Sequence, residues 1–129
     1  MVDKRVIEEW LAKADEDFNF ASSVIENSPY FAQLCFHFQQ AAEKYLKAFI
    51  VAHELEFKKS HELVELLGIC GEKAPAIFKI KDDCNYLNRF YIDTRYPVHW
   101  PVNYVKDDAL NAKKAAKNIA NIIKEMLGV

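Results

Sequence analysis

One segment constrains the fold of this chain more than any other: residues 31–52, which read FAQLCFHFQQAAEKYLKAFIVA. At helical spacing its apolar side chains form one stripe, made of Phe31, Leu34, Phe38, Ala41, Tyr45, Ala48 and Ala52. A polar row runs beside that stripe, made of Gln33, His37, Gln40, Lys44 and Lys47. A helix this apolar is expected to be buried, so its polar row is either a solvated edge or the lining of a site.

The first two helices have recognisable ends. Asp3 is a plausible N-cap for a helix that we expect to run to about Asn27, where Pro29 follows a break and suits the opening turn of the next helix. The second helix is predicted from about Tyr30 to Glu54. Within it, the four-residue spacing of Glu43 and Lys47 predicts an ion pair on one face.

Three further helices are predicted after residue 56. Ser60 can cap a short third helix, which Gly68 and Gly71 are expected to weaken and end. A fourth begins near Pro75 and repeats apolar residues at heptad-like spacing until Pro97 stops it. The last helix starts at Asn103 or Asp107, and its packing face begins with the small residues Ala109, Ala112 and Ala116.

The pattern as a whole predicts an all-α fold. No segment alternates apolar and polar residues as a half-buried strand does, so we expect an up-and-down four-helix bundle with one additional short helix. A length of 129 residues without a linker or repeat predicts a single helical domain over residues 1–129.

Composition narrows the functional classes. A net charge of −2 leaves no global basic field, so any contact with RNA or phosphate has to come from a local cluster of basic residues. Three cysteines without CxxC spacing, Cys35, Cys70 and Cys84, lie in apolar patterns and are predicted to be reduced core residues. The charged N-terminus has no signal-peptide character and charges interrupt the apolar segments, which predicts a soluble, cytoplasmic protein without membrane contact.

Asp17 falls within the core-facing seam of the first helix. A buried carboxylate needs a partner, because an unpaired charge away from water costs several kcal/mol. Lys44, Lys47, His61 or Arg95 are candidate partners in a structural bond between helices. The functional alternative is a carboxylate that belongs to a site.

Several kinds of site lack their sequence signatures. The four histidines fit no HxxxH, HExxH or Cys-His grouping, so no metal site is predicted. With three glycines in the chain there is no glycine-rich phosphate loop, and no serine lies in a nucleophile-elbow context. We therefore predict no cofactor.

Arg95 is the strongest candidate for binding chemistry. At the end of the fourth helix it can act as a C-terminal cap or pair with a carboxylate, which is its structural interpretation. In the functional interpretation its guanidinium binds a phosphate, and Tyr91, Tyr96 and Trp100 offer faces for a base. His99 is close enough in sequence to act as a general acid or base, and an Arg and a His at one phosphodiester suffice for metal-independent RNA cleavage.

These residues resemble the HEPN family, named for higher eukaryotes and prokaryotes nucleotide-binding. The resemblance spans nearly the whole chain and rests on Trp10, Ala14, Asp17 and Ala21, on QQAAEKYLKA at residues 39–48, on His61-Glu62-Leu63, and on Tyr91 through Arg95-Tyr96-Pro97. It implies a four-helix bundle with an added short helix, commonly a homodimer. Small prokaryotic members are often encoded beside a minimal nucleotidyltransferase in toxin-antitoxin-like modules, and many members are metal-independent ribonucleases.

The catalytic motif of those ribonucleases is an Arg, four to six residues, and then His. Here Tyr96, Pro97 and Val98 alone separate Arg95 from His99, and Pro97 breaks the helical register between them. We therefore predict a binding module without efficient turnover, whose Arg95-lined dimer cleft meets a nucleotide, an RNA or a partner nucleotidyltransferase. The alternatives are a metal-independent endoribonuclease using Arg95 and His99, and a non-catalytic structural subunit.

The predicted site is defined by three groups of residues. The candidate catalytic residues are Arg95 and His99. The candidate nucleotide or phosphate contacts are Arg95, Lys44, Tyr96 and Trp100. The supporting polar residues are Asp17, Gln40 and His61.

Overall fold

The chain folds as a bundle of α-helices. The computed structural model describes residues 2–93 and 103–129. In these ranges α1 to α5 span Lys4–Val24, Phe31–Ala52, Leu63–Lys73, Lys81–Asp93 and Lys106–Leu127, and a 3₁₀ helix at Pro75–Ile80 leads directly into α4. No strand occurs in either range, which confirms the predicted fold class. None of the helices described there has the length and apolarity needed to cross a bilayer.

Side-chain contacts give the helix directions. Lys106 near the start of α5 bonds to Glu26 just after α1, and Lys124 near its end bonds to Asp15 within α1, so α1 and α5 are antiparallel. The ring of Phe18 on α1 meets that of Phe38 on α2, while Trp10, nearer the start of α1, meets Phe57, which follows the end of α2.

Tyr86 on α4 bonds to the backbone O of Asp108 near the start of α5, and Asp83 bonds to Asn118 further along α5, so α4 and α5 are also antiparallel. The long helices α1, α2, α4 and α5 therefore run up-and-down, with α3 as the short addition.

Helix α2 occupies the centre and contacts all four of the other α-helices. The middle of its predicted apolar stripe is buried, and the terminal members Phe31 and Ala52 are partly exposed. Because helices surround α2, its burial extends beyond the apolar stripe to Gln39, Glu43 and Lys47. The polar row is therefore not simply a solvated edge.

The predicted cap of α3 is wrong by two residues, since Glu62 and not Ser60 is the cap residue. The Ser60 hydroxyl accepts a hydrogen bond from the backbone N of Glu62 at 3.1 Å, forming a turn before the helix rather than a cap. Helix α3 begins at Leu63, whose backbone N donates to Oδ1 of Asn88 on α4 at 2.7 Å. A side chain from another helix thus replaces the local cap, and sequence proximity gives no sign of it.

The two glycines of α3 do not end it, because the helix continues to Lys73. Gly71 has a packing role: a Cβ atom there would lie 2.0 Å from Cζ of Phe78. A glycine does end α5: Gly128 has φ +75° and closes the helix in the left-handed conformation that glycine adopts without strain.

Two other helix starts differ from expectation. The segment after Pro75 is a 3₁₀ helix, and α4 proper begins at Lys81. Neither Asn103 nor Asp107 caps α5; the cap position is Val105, whose backbone N donates to Oδ2 of Asp108 at 2.8 Å. The carboxylate therefore reaches back from within the first turn, as in half of a capping box.

All three cysteines are free and buried, as predicted. Burial raises the pKa of each thiol, Cys35, Cys70 and Cys84, to about 12. Because alkylation requires the thiolate, we expect iodoacetamide at pH 8.5 to leave the native protein unmodified over a time that fully labels it in urea. Mass spectrometry of the intact chain gives the count, and rapid native labelling of any cysteine would contradict the burial.

Candidate functional site

The polar row of α2 takes part in two clusters that each join a lysine, a carboxylate and a histidine. We name them the Asp17 cluster (Asp17, His37, Lys44) and the Glu43 cluster (Glu43, Lys47, His61). In both, the lysine lies on α2 and the carboxylate lies between the lysine and the histidine. The Asp17 cluster therefore links α2 to α1, and the Glu43 cluster links α2 to the turn before α3.

In the Asp17 cluster, Oδ2 of Asp17 accepts from Nζ of Lys44 at 2.5 Å. Its other oxygen lies 3.2 Å from Nδ1 of His37. The Asp17 side chain is 17% exposed, so both partners offset the cost of removing its charge from water. Lys44 is confirmed as a partner of Asp17, whereas the contact with His37 was not predicted.

The Glu43 cluster is more deeply placed. Nζ of Lys47 lies 3.0 Å from Oε2 of Glu43, and these two side chains are 8% and 6% exposed. Oε1 of Glu43 lies 3.1 Å from Nδ1 of His61, whose side chain is 47% exposed. The predicted pair of Glu43 and Lys47 is confirmed. The structure adds that it is buried and that a histidine extends it to the surface.

Two glutamines connect the row to the same histidine. Nε2 of Gln40 donates to Oε1 of Gln39 at 2.7 Å, and Nε2 of Gln39 donates to the backbone O of His61 at 3.1 Å. Gln39 is fully buried, so its amide needs these partners. Gln40, a predicted supporting residue, thus reaches His61 through a neighbour that the sequence analysis did not single out.

An aromatic row joins the two clusters along the surface. Its rings, in order, are Phe20, His37, Phe36, Tyr91 and His61. Successive ring centroids lie 5.0, 6.0, 6.3 and 4.5 Å apart. The imidazole of His61 is nearly parallel to the Tyr91 ring, with an interplanar angle of 15°. Tyr91 is the one predicted stacking residue that the structure describes, and it stacks on a histidine.

Two cavities adjoin the clusters. One, of about 280 Å³, is lined by Ser60, His61, Glu62, Asn88 and Tyr91. The other, of about 410 Å³, is lined by Glu9, Trp10, Lys13 and Lys44. Each cavity therefore contains one member of a cluster, and the cavity at His61 also contains a ring of the aromatic row.

The arrangement favours proton transfer or hydrogen bonding by the two histidines. In each, Nδ1 lies within hydrogen-bond distance of a carboxylate oxygen, which favours the tautomer with its proton on Nδ1 and its lone pair on Nε2. Among the side chains described in residues 2–91 and 103–129, none bonds to Nε2 of either histidine. Both side chains are partly exposed and can offer this nitrogen to a ligand.

A third carboxylate, Asp15, belongs to a separate structural contact. It accepts hydrogen bonds from the hydroxyl of Tyr45 and from Nζ of Lys124. Burial and then Asp15 raise the pKa of the Tyr45 hydroxyl well above its ordinary value. This contact joins α1, α2 and α5, and none of its members belongs to the predicted site.

Four of the predicted site residues, Arg95, Tyr96, His99 and Trp100, lie outside the described residues. The joint action of Arg95 and His99 at one phosphodiester therefore stays a prediction. Of the remaining predicted residues, it brings Asp17 to Lys44 and connects Gln40 to His61. His37 and Glu43 were not predicted as site residues, although the sequence places His37 in the polar row of α2 and Glu43 four residues before Lys47.

The family model described as HEPN domain matches residues 7–126. The chain belongs to the HEPN family. Among solved structures, it is similar to the crystal structure of ST0689, an archaeal HEPN homologue, at 28% sequence identity and a TM-score of 0.76. That match covers 93% of this chain and 96% of the homologue. No curated protein matches the sequence.

The HEPN resemblance stated from the sequence is thus confirmed. The matched range contains both clusters and the arginine predicted to bind phosphate. Membership of the family does not by itself imply association with a minimal nucleotidyltransferase, so that association stays a proposal.

Proposed function

We propose that this HEPN protein binds a nucleotide or RNA, with Arg95 as the principal phosphate contact. The observation that carries the proposal is that Asp17, Lys44, Gln40 and His61, four residues predicted for the site, belong to two hydrogen-bonded networks beside the central helix of a HEPN fold. Such a network holds polar groups in fixed positions before a ligand arrives, which lowers the entropic cost of binding.

The two lysines in the described part of the site are neutralised by carboxylates, which supports a role for a further basic residue in phosphate binding. Lys44 and Lys47 are each paired with a carboxylate, so neither brings an uncompensated positive charge to a phosphate. Arg95 is the residue type that binds phosphate in bidentate fashion, and in sequence it stands four positions after Tyr91 of the aromatic row. We therefore assign Lys44, Tyr96 and Trp100 to secondary contacts.

The direct test is binding of fluorescein-labelled single-stranded RNA and of ATP, measured by fluorescence anisotropy at fixed salt. Loss of a bidentate charged contact in Arg95→Ala is expected to raise Kd about 10-fold or more. The matched control is Arg5→Ala, since the Arg5 side chain is 85% exposed and pairs with Asp3 at the start of α1. Equal affinity in Arg95→Ala, Arg5→Ala and the unsubstituted protein would refute the assignment of Arg95.

The proposal includes a homodimer with both copies of Arg95 in one cleft. Support comes from the aromatic row, which contains the 53% exposed residue Phe20 and is the kind of surface that a second chain covers. Light scattering after size exclusion measures the mass directly. A monomer that still binds RNA would remove the dimer cleft from the proposal and leave the binding function in place.

A minimal nucleotidyltransferase is the alternative occupant of this surface. Capture of a co-expressed nucleotidyltransferase, lost in Arg95→Ala and retained in Arg5→Ala, would favour that partner over RNA. Absence of RNA, nucleotide and nucleotidyltransferase binding alike would indicate a structural subunit.

A further inference from the structure

The cavity of about 410 Å³ combines one aromatic ring with three charged side chains, and its lining residues are Glu9, Trp10, Lys13 and Lys44. The first three lie on α1, where residues three and four positions apart share one face of the helix, and Lys44 lies on α2. The volume is typical of small-molecule sites, which span about 300–1,000 Å³. The space beside these two helices is therefore large enough for a small ligand.

The indole of Trp10 is held from two sides. It packs against the apolar core, and its ring meets that of Phe57 with centroids 5.9 Å apart and an interplanar angle of 51°. Nζ of Lys47 lies 5.7 Å from the centroid of the Phe57 ring, so one ring of this pair already attracts a cation. Indole attracts cations more strongly than a phenyl ring does, yet no lysine or arginine of the described residues lies over the Trp10 ring. The better cation acceptor of the pair thus lines the cavity without a cation from these residues.

Glu9 supplies the charge that a cation needs. Nζ of Lys13 lies 3.3 Å from the carboxylate of Glu16, and Nζ of Lys44 lies 2.5 Å from that of Asp17. Both ammonium groups at the cavity are therefore compensated, and Lys44 can offer the cavity its methylene stem. Within residues 2–91 and 103–129, Glu9 makes no ion pair or hydrogen bond. The charge that is left uncompensated at this cavity is therefore negative.

We propose that this cavity binds an organic cation, an ammonium group carrying methyl or other alkyl groups, with its charge against the Trp10 indole and the Glu9 carboxylate. A metal ion fits less well, because one carboxylate supplies too few of the oxygen ligands that a hard cation takes. The alkyl groups of an organic cation instead need apolar surface, which the indole and the stem of Lys44 provide. The inference goes beyond the proposed function and does not rest on it, since neither Arg95 nor RNA takes part.

The test is a proton NMR titration of choline with the full-length protein at fixed ionic strength. Protons above the face of an aromatic ring resonate upfield, so we expect the N-methyl resonance of choline to move upfield and to saturate. The matched ligand is 3,3-dimethylbutan-1-ol, which has the shape of choline but carries no charge. It is expected to bind about 5-fold more weakly, because it lacks the attraction of the cation to the indole.

Three variants assign the site to its residues. Trp10→Leu is expected to abolish the upfield shift, because it removes the ring that causes it. Glu9→Gln is expected to raise the Kd of choline about 3-fold, in keeping with the loss of one exposed charge contact. Glu8→Gln is the matched control, since Glu8 is an exposed carboxylate of α1 that is not among the lining residues, and it is expected to leave Kd unchanged. If Trp10→Leu fails to fold, Glu9→Gln and the neutral alcohol decide.

The same alkylated ammonium group occurs in free small molecules and in the methylated lysine side chains of other proteins. A glycine-flanked peptide that contains one trimethyllysine distinguishes these sources in the same titration. A lower Kd for the peptide than for choline would support the proposal with a protein side chain as the ligand. An equal or higher Kd would support it with a free molecule as the ligand.

Three results would overturn the proposal. The first is the absence of a saturable upfield shift with the unsubstituted protein. The second is equal affinity for choline and the neutral alcohol, which would mean that the cavity takes apolar groups regardless of charge. The third is an equal rise in Kd in Glu9→Gln and Glu8→Gln, which would mean that choline responds to the overall charge of α1. Because no RNA is present, each result leaves the proposed function to its own test.

Discussion

Replacing Glu43 with leucine is expected to lower the free energy of unfolding by about 3–5 kcal/mol. The substitution leaves the ammonium group of Lys47 in a position where its side chain is 8% exposed, with the Phe57 ring at 5.7 Å but without the carboxylate. It also removes the partner of Nδ1 of His61. Urea denaturation at one protein concentration measures the loss.

The double variant Glu43→Leu/Lys47→Met is the informative comparison. Two apolar side chains of similar size remove both charges together, so we expect most of the lost stability to return. Glu16→Leu provides an exposed control, because the pair of Lys13 and Glu16 has side chains 70% and 67% exposed and is expected to contribute less than about 1 kcal/mol. A single variant as mild as Glu16→Leu, with no recovery in the double variant, would contradict the inferred cost of an unpaired buried lysine.

Spacing on α2 predicted the contact between Glu43 and Lys47, because helical geometry alone determines which residues are neighbours four positions apart. It did not predict their burial. Burial depends on how closely other helices surround α2, and that is a property of the packed bundle rather than of one helix.

The contacts of the two histidines could not be predicted from helical spacing either, because each joins residues on different segments of the chain. His37 meets Asp17 because of the way α1 packs against α2, and His61 meets Glu43 from the turn that precedes α3, where a cap at Ser60 would have placed His61 in the first turn of the helix. That start depends on Asn88, which lies on a later helix. Long-range contacts of this kind leave no periodic signal in the chain.

The sequence was enough to predict the family, whereas it predicted only part of the site. The block at residues 39–48 lies in the central helix and within the range that matches the family model. The separation of Arg95 from His99 is a different matter, since Pro97 between them removes the helical register that converts sequence spacing into distance. Their joint role therefore stays a prediction, while His61 has a described environment.

Replacing Phe38 with alanine is the other change with a large expected effect, a loss of about 3–5 kcal/mol in the free energy of unfolding. Phe38 is fully buried on the apolar stripe of α2, and its ring meets that of Phe18 edge-on with centroids 5.5 Å apart. Truncation removes buried apolar area and leaves a cavity that the surrounding helices fill only in part.

Phe20→Ala is the matched control for Phe38→Ala, because Phe20 is 53% exposed and its ring contacts His37 instead of the core. We expect it to cost less than about 1 kcal/mol, with Phe38→Leu between the two because it retains most of the buried volume. We expect the urea midpoint to rise in the order Phe38→Ala, Phe38→Leu, Phe20→Ala, because the buried volume lost on substitution falls in that order. Equal costs for the two alanine variants would mean that the surface bearing Phe20 is itself buried in solution, which is what a second chain seated on the aromatic row would cause.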